Sequence, residues 1–279
     1  MWKWLLLAVV AQQAPVTFEA VSVKPAQRMT PGLRVAGSQV TGIASMKALV
    51  RSAYNLHTYQ ISGPAWIESE RYEIAAKLPE GATKEQVPAM LQAMLAERFG
   101  LVAHRESREL PVYSLVVAKG GAKLKASAPG EDGRGAPRLV RGANGYPELA
   151  PGTEAPRTYQ VVLGGSDGLL YKLWARRENM PQLADRLSSQ LNRAVVDRTG
   201  LEGGFDFALS WTMDAAGGMV PRTEPPPDEI EMYGSAVLTD PGLSLFKAIE
   251  SQLGLKLEVG KGAIEMLVLD KVEKVPTGN

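Results

Sequence analysis

The stretch Met90-Leu91-Gln92-Ala93-Met94-Leu95-Ala96-Glu97-Arg98-Phe99-Gly100-Leu101 decides the reading of this chain. Met90, Leu91, Met94, Leu95 and Phe99 share one face at 3.6 residues per turn, which predicts an amphipathic helix. Gly100 can adopt the left-handed conformation that closes such a helix, and Leu101 is placed to fold back on the last turn before the chain enters a strand. Leu253-Gly254-Leu255 repeats that ending. Two further helical patterns stop on asparagine, the next best residue in that conformation, at Tyr54-Asn55-Leu56 and Leu191-Asn192-Arg193. The order Asn, Gly, Asn, Gly predicts one two-helix unit used twice.

The flanking sequence fits that rhythm. Ser45 is placed to cap a first helix carrying Met46, Leu49, Val50, Ala53 and Tyr54, and Thr83 with Gln86 reads as a capping box before the second. Alternation predicts strands at 16–23, 59–62, 71–77, 102–106 and 111–119. Beyond them, Asn179 caps a helix striped with Leu183, Leu187 and Leu191, and Asp240-Pro241 opens a last helix with Leu245, Ile249 and Leu253. Leu255 to Val259 and Ala263 to Val272 read as a hairpin around Gly260-Lys261-Gly262. The expected fold class is α+β: two related units, each with two helices packed on a small mixed β-sheet. The expected domains are a signal peptide at 1–14, a first unit at 15–125, a linker or long loop at 126–157 and a second unit at 158–275. A Gly- and Pro-rich excursion interrupts the second unit at 213–240.

A chain of 279 residues, 45% apolar and 22% charged, can bury two ordinary cores. Its formal charge of +1 provides no footprint for nucleic acid. One lysine, a short apolar run from Leu5 to Val10 and small residues up to Ala14 resemble a secretory signal, which sets the expected location outside the cytoplasm, periplasmic or secreted. The run is too short to span a bilayer, and no later stretch is long enough, so no membrane span is expected in the mature chain. Without cysteine, an exported chain of this size has to stand on its cores alone.

By pattern, Met180 to Trp211 followed by Leu243 to Val272 resembles the short N-terminal modules of secretins and TonB-dependent receptors, so the expected architecture is a tandem of that kind. A closer resemblance covers nearly the whole mature chain. Phe18-Glu19-Ala20-Val21-Ser22-Val23-Lys24-Pro25, Tyr59-Gln60-Ile61-Ser62-Gly63-Pro64-Ala65-Trp66, Arg98-Phe99-Gly100-Leu101 with His104-Arg105-Glu106, and Val195-Val196-Asp197-Arg198-Thr199-Gly200-Leu201 look like a soil-associated bacterial family of unknown function. Related domains there are sometimes joined to membrane metallopeptidases of the beta-lactam-sensor type. The resemblance implies a domain outside the cytoplasm attached to signalling, and carries no catalytic residue with it.

The motifs that could carry chemistry do not assemble. Gly164-Gly165-Ser166-Asp167-Gly168 has the G-x-S-x-G form of a hydrolase elbow, but a strand follows it and both histidines, His57 and His104, precede it. Ser244-Leu245-Phe246-Lys247 matches S-x-x-K without the later elements that penicillin-binding enzymes need. His104 and Glu106 share a strand face and could act as an acid and base, yet two histidines 47 residues apart and no cysteine argue against a metal. No phosphate loop occurs, and no cofactor is expected. Tyr54, Tyr59, Trp66 and Tyr72 gather around the Gly63-Pro64 turn and can offer an aromatic surface to a ligand.

The leading expectation is an exported, non-catalytic interaction or ligand-sensing protein of the bacterial envelope. It would bind an envelope protein or peptide by adding its strand to a sheet edge. The binding residues expected for it are Tyr54, Tyr59, Trp66, Tyr72, His104, Arg105 and Glu106. The alternative is an extracytoplasmic hydrolase centred on His104 and Glu106.

Overall fold

The computed structural model describes residues 16–27, 32–128, 137–142, 147–153, 155, 157–165, 168–214 and 244–278. The proposed signal at 1–14, nearly all of the 213–240 excursion, the Asp240 cap and Ser166 of the elbow motif lie outside these residues. The described residues fall into two compact units. Those up to Ser107 together with those from Glu265 form a discontinuous unit, and those of Arg108–Ile264 form the unit inserted between.

In the discontinuous unit, β1 (Ala20–Ala26), β2 (Leu33–Ala36) and β3 (Gln39–Ser45) precede α1 (Met46–Tyr54). Next come β4 (Ile61–Ser62), β5 (Arg71–Lys77), α2 (Val87–Phe99) and the start of β6 (Val102–Val117). Strands β1, β5, β3 and β2 form, in that order, an antiparallel sheet. Alternation in β5 buries Tyr72, Ile74 and Ala76 and leaves Glu73, Ala75 and Lys77 in water. The buried faces of α1 (Met46, Leu49, Val50, Ala53) and α2 (Met90, Leu91, Met94, Leu95, Phe99) share one core with them. Ser45 Oγ accepts from Ala48 N at 3.2 Å, and Thr83 and Gln86 form the anticipated capping box.

The inserted unit continues through β7 (Lys125–Ala126), β8 (Leu139–Arg141), β9 (Pro147–Leu149), β10 (Tyr159–Gly165), β11 (Gly168–Glu178) and α3 (Met180–Leu191). It then runs through β12 (Val195–Asp197), β13 (Phe205–Asp214), α4 and β14 (Leu255–Lys271). Helix α4 is α-helical over Leu245–Ala248 and widens to a π-turn over Ile249–Leu253. Strands β10, β11, β13 and β7 make a second antiparallel sheet, and β8 with β9 a small hairpin. The inward stripes of α3 (Met180, Leu183, Leu187) and α4 (Leu245, Ile249, Leu253) share a core with Tyr171, Leu173, Leu209 and Trp211. The Gln252 side chain replaces a ladder partner for β13, donating to Ser210 O at 2.8 Å and accepting from Ser210 N at 2.9 Å.

The expectation of two α+β units, each with two helices on one small mixed sheet, is overturned, and with it the tandem of secretin-like modules. The chain is mostly β, 45% strand against 25% helix, with four sheets and four helices among the described residues. The error has a local cause. By pattern a strand ends before Pro111 and another turns at the Gly260-Lys261-Gly262 run, whereas β6 passes through the first and β14 through the second. A Cβ on Gly262 would lie 3.4 Å from both methyls of Val112, so this glycine serves close approach to β6 and not a turn. The third four-stranded sheet follows from these long strands, in the order β12–β6–β14–β4. Strand β12 runs parallel to β6 and β4 parallel to β14.

All four anticipated helix endings are left-handed, with φ of 51° at Asn55, 57° at Gly100, 46° at Asn192 and 64° at Gly254. The turn after α3 is fixed by Ser188, 2% exposed, whose hydroxyl donates to Ala184 O and accepts from Val195 N, both at 2.8 Å. Replacing Ser188 by alanine is expected to destabilise the inserted unit by about 1–3 kcal/mol, because the buried Val195 N–H loses its acceptor. Urea unfolding followed through Trp174 and Trp211 fluorescence measures this.

Candidate functional site

The structure concentrates its polar architecture where β11 meets α3. Pairing of β11 with β13 slips between Ala175 and Glu178, and the bulge places Arg177 at a φ of 49°. Two neighbours hold that conformation. Asp206 Oδ1 accepts from Arg177 N at 2.9 Å, and Gly204 packs so closely that a Cβ there would stand 3.1 Å from Arg177 Cα. Burial works to raise the Asp206 carboxyl, but the Ser127 hydroxyl at 2.5 Å, the Arg177 N–H and the charges of Arg176 and Lys125 together hold it below the usual carboxylate range.

The bulge also turns Glu178 inward. At 3% exposure, its carboxylate accepts from Thr158 Oγ1 at 2.7 Å and from Arg186 Nε and Nη2 at 3.0 and 3.4 Å. Asn179 follows at once as the cap of α3, its Oδ1 accepting from Gln182 N at 2.9 Å while Gln182 Oε1 accepts from Asn179 N at 3.0 Å. Pro181, which lacks an N–H, sits in the first turn.

Two cavities open along this junction. One, of about 650 Å³, lies between β10 and α3 and is lined by Gln160, Asn179, Gln182, Asp185, Arg186 and Gln190, among others. The other, of about 390 Å³, is lined by Ser127, Ala128, Arg177, Asn179, Gly203 and Gly204. Asn179 belongs to both. Among the described residues β10 pairs only with β11, and Gln160 is its residue in the lining of the larger cavity. Tyr159 and Val161 face the small core around Trp174, whereas Gln160 and Val162 point to the opposite face. Val162 is 41% exposed there. Amide side chains that both donate and accept, beside a strand edge with no partner among the described residues, form a surface suited to polar backbone groups.

The residues singled out from the sequence lie in the discontinuous unit, and none of them lines either cavity. Tyr72 is a core residue: its ring meets Phe99 edge-on at 4.8 Å, its hydroxyl donates to Lys274 O at 2.7 Å, and burial pushes its phenol up to about 12. Trp66 is partly buried against the same core. Tyr54 is half-buried, which raises its phenol while Arg105 pulls it back, and Arg105 pairs with Glu265. Tyr59 stacks on His57 with ring centroids 5.2 Å apart. The structure thus brings Tyr54 and Arg105 together and gives Trp66 and Tyr72 packing roles.

His104 and Glu106 do share a face, with Nε2 and Oε2 3.6 Å apart, and His104 Nδ1 meets both oxygens of Asp270 at 2.9 Å. These side chains are 49%, 37% and 42% exposed. The hydrogen bond to Asp270 raises the His104 imidazole above its ordinary value, against desolvation, and Glu106 adds to the rise. A histidine raised on folding stabilises the fold fully below its unfolded value of about 6.5, and that contribution fades as pH climbs through the folded value. Asp270→Asn is therefore expected to lower the His104 titration midpoint seen by NMR of its ring proton. Its effect on the melting temperature is expected to be larger at pH 5.5 than at pH 8. Among the described residues no group of three or more His, Asp or Glu side chains is placed to hold a metal ion. No described helix is long and apolar enough to cross a membrane.

The cavity residues escaped the sequence reading because Gln160, Asn179 and Gln182 belong to no chemical motif. The available signal was Glu178, a carboxylate at the end of an apolar strand with Arg186 eight residues on. A family model described as a protein of unknown function matches residues 47–272. No curated protein and no solved structure matches the chain.

Proposed function

The chain belongs to that family, DUF3738, and from this premise we propose that it is an exported, non-catalytic interaction protein of the bacterial cell envelope that binds an extended peptide strand along β10. The observation that carries this reading is that, among the described residues, β10 is an edge strand paired only with β11, with an amide-lined trough between it and α3. A strand edge supplies affinity through main-chain hydrogen bonds, and the adjoining helix supplies side-chain selectivity. The extracytoplasmic setting draws its support from the N-terminal pattern of one lysine, a short apolar run and small residues, and from the resemblance to domains joined to membrane metallopeptidases. The same resemblance makes a role in envelope signalling the natural extension.

Panning a random peptide display library on the purified protein is expected to enrich binders whose complex protects the β10 amides from hydrogen exchange. Absence of enrichment, or protection confined to other strands, would overturn the proposal. The hydrolase alternative draws on the carboxylate-oriented His104. An ester or peptide hydrolysis abolished by His104→Ala would establish it in place of the binding reading.

A further inference from the structure

We infer that the strand bound along β10 carries an amide side chain, Asn or Gln, opposite Gln160 and an apolar side chain opposite Val162. This rests on the strand-addition reading above and specifies the side chains that the trough selects.

The sheet sets the geometry. Gln160 stands opposite Leu173 and Val162 opposite Tyr171, so all four side chains lie on the face that α3 packs against. The core under α3 takes Tyr171 and Leu173 from β11 and Leu209 and Trp211 from β13, and no described residue of β10. Strand β10 therefore lies at the margin of the covered area, where Val162 is 41% exposed and Gln160 meets the flank of α3 across the larger cavity. A residue added opposite Gln160 points to the same face and stands about 5 Å from it, Cβ to Cβ, and a residue opposite Val162 does the same two positions along.

The lining sets the chemistry. Asn179 and Gln182 bond each other's backbone in the cap of α3, and Arg186 is engaged by Glu178. The side-chain amides of Gln160 and Gln190, on β10 and α3, have no hydrogen-bond partner among the described residues. A carboxylate only accepts and an ammonium only donates, whereas an amide offers an acceptor oxygen and two N–H donors to amides that need both. Val162 asks for the reverse, because an apolar neighbour across the ladder removes its exposed surface from water.

Strand direction orders the two. In an antiparallel addition, the more stable arrangement per residue, the partner residue opposite Val162 precedes the one opposite Gln160. The recognised segment thus reads, from N to C, apolar, any residue, amide. The middle residue lies opposite Val161 and turns to the other face, that of the small core around Trp174.

Random octapeptides displayed on phage and panned on the intact protein should enrich that order. In a selected peptide, replacing the amide residue by leucine is expected to weaken binding to the unaltered protein at least about tenfold, and binding to Gln190→Leu less than about twofold, since one or two hydrogen bonds are at stake. Leucine is a good helix former, so the variant should melt close to the unaltered protein and its β10 amides should still be protected from hydrogen exchange by bound peptide. Gln160→Val, a substitution suited to a strand, should abolish the amide preference in the same way. Protection of β10 without an amide preference, an amide preference that survives both substitutions, or enrichment of the reverse order would overturn the side-chain assignment and leave strand addition standing. Failure of every peptide to bind, or protection confined to other strands, would remove strand addition itself.

Discussion

Gly254→Ala is expected to destabilise the inserted unit by more than about 3 kcal/mol, whereas Gly100→Ala, at the same position of an equivalent helix ending, should cost about 1–2. Both glycines are left-handed, with φ of 64° and 57°, so both alanines meet the backbone penalty of about 1–2 kcal/mol. They differ in what surrounds them. A Cβ on Gly254 would lie 2.0 Å from Gly121 O and 3.0 Å from Lys123 N, because residues 118–123 wrap the end of α4, with Ala118 N donating to Gly254 O and Lys123 N to Leu253 O. A Cβ on Gly100 would meet only Glu273 Cγ at 3.7 Å. Relieving the first clash requires backbone movement, adding about 1–3 kcal/mol. Thermal melts should separate the variants: 3 kcal/mol corresponds to a drop of roughly 6–12 °C in a domain of this size. Equal midpoints would mean that the 118–123 wrap does not persist in solution.

Arg186→Met is expected to cost about 3–5 kcal/mol, more than Glu178→Met at about 1–2. The asymmetry follows from burial: the Glu178 side chain is 3% exposed and that of Arg186 40%. Without the arginine, a carboxylate remains in the interior beside the Thr158 hydroxyl, with its charge no longer balanced by Arg186. Without the glutamate, the guanidinium can turn to water. Replacing both removes the stranded charge, so the double variant should recover most of the loss of Arg186→Met. A double-mutant cycle in urea measures the coupling directly, and equal single losses would contradict the burial argument.

The helix boundaries were legible because each rests on a local contest that a few residues decide. Ser45 and Asn179 out-compete other N-caps, and Asn55, Gly100, Asn192 and Gly254 tolerate positive φ where other residues strain. The sheets were not legible. Pairing partners in β6 and β14 lie more than a hundred residues apart, and a proline or glycine inside a strand has no local mark distinguishing close approach from a turn. Reading Gly260-Lys261-Gly262 as a hairpin divided one long strand into two and concealed the return of the chain to its first unit. The candidate site was hidden for another reason. Aromatic and titratable residues attract attention in a sequence, but Trp66 and Tyr72 serve the core, and the trough is built from glutamines, an asparagine and short polar neighbours on α3 together with Arg186.

The interruption of the first unit by the inserted one has a consequence for biosynthesis. The interior of that first unit includes Leu267 and Leu269, and its closing bonds run from Glu273 N to Phe99 O, from Thr277 N to Arg98 O and from the Tyr72 hydroxyl to Lys274 O. A ribosome emitting the polypeptide from its first residue delivers everything for the inserted unit before the last of these groups exists. Vectorial translation therefore imposes a sequence of maturation, in which α1 and α2 wait with part of their apolar surface uncovered until Leu267 and Leu269 emerge.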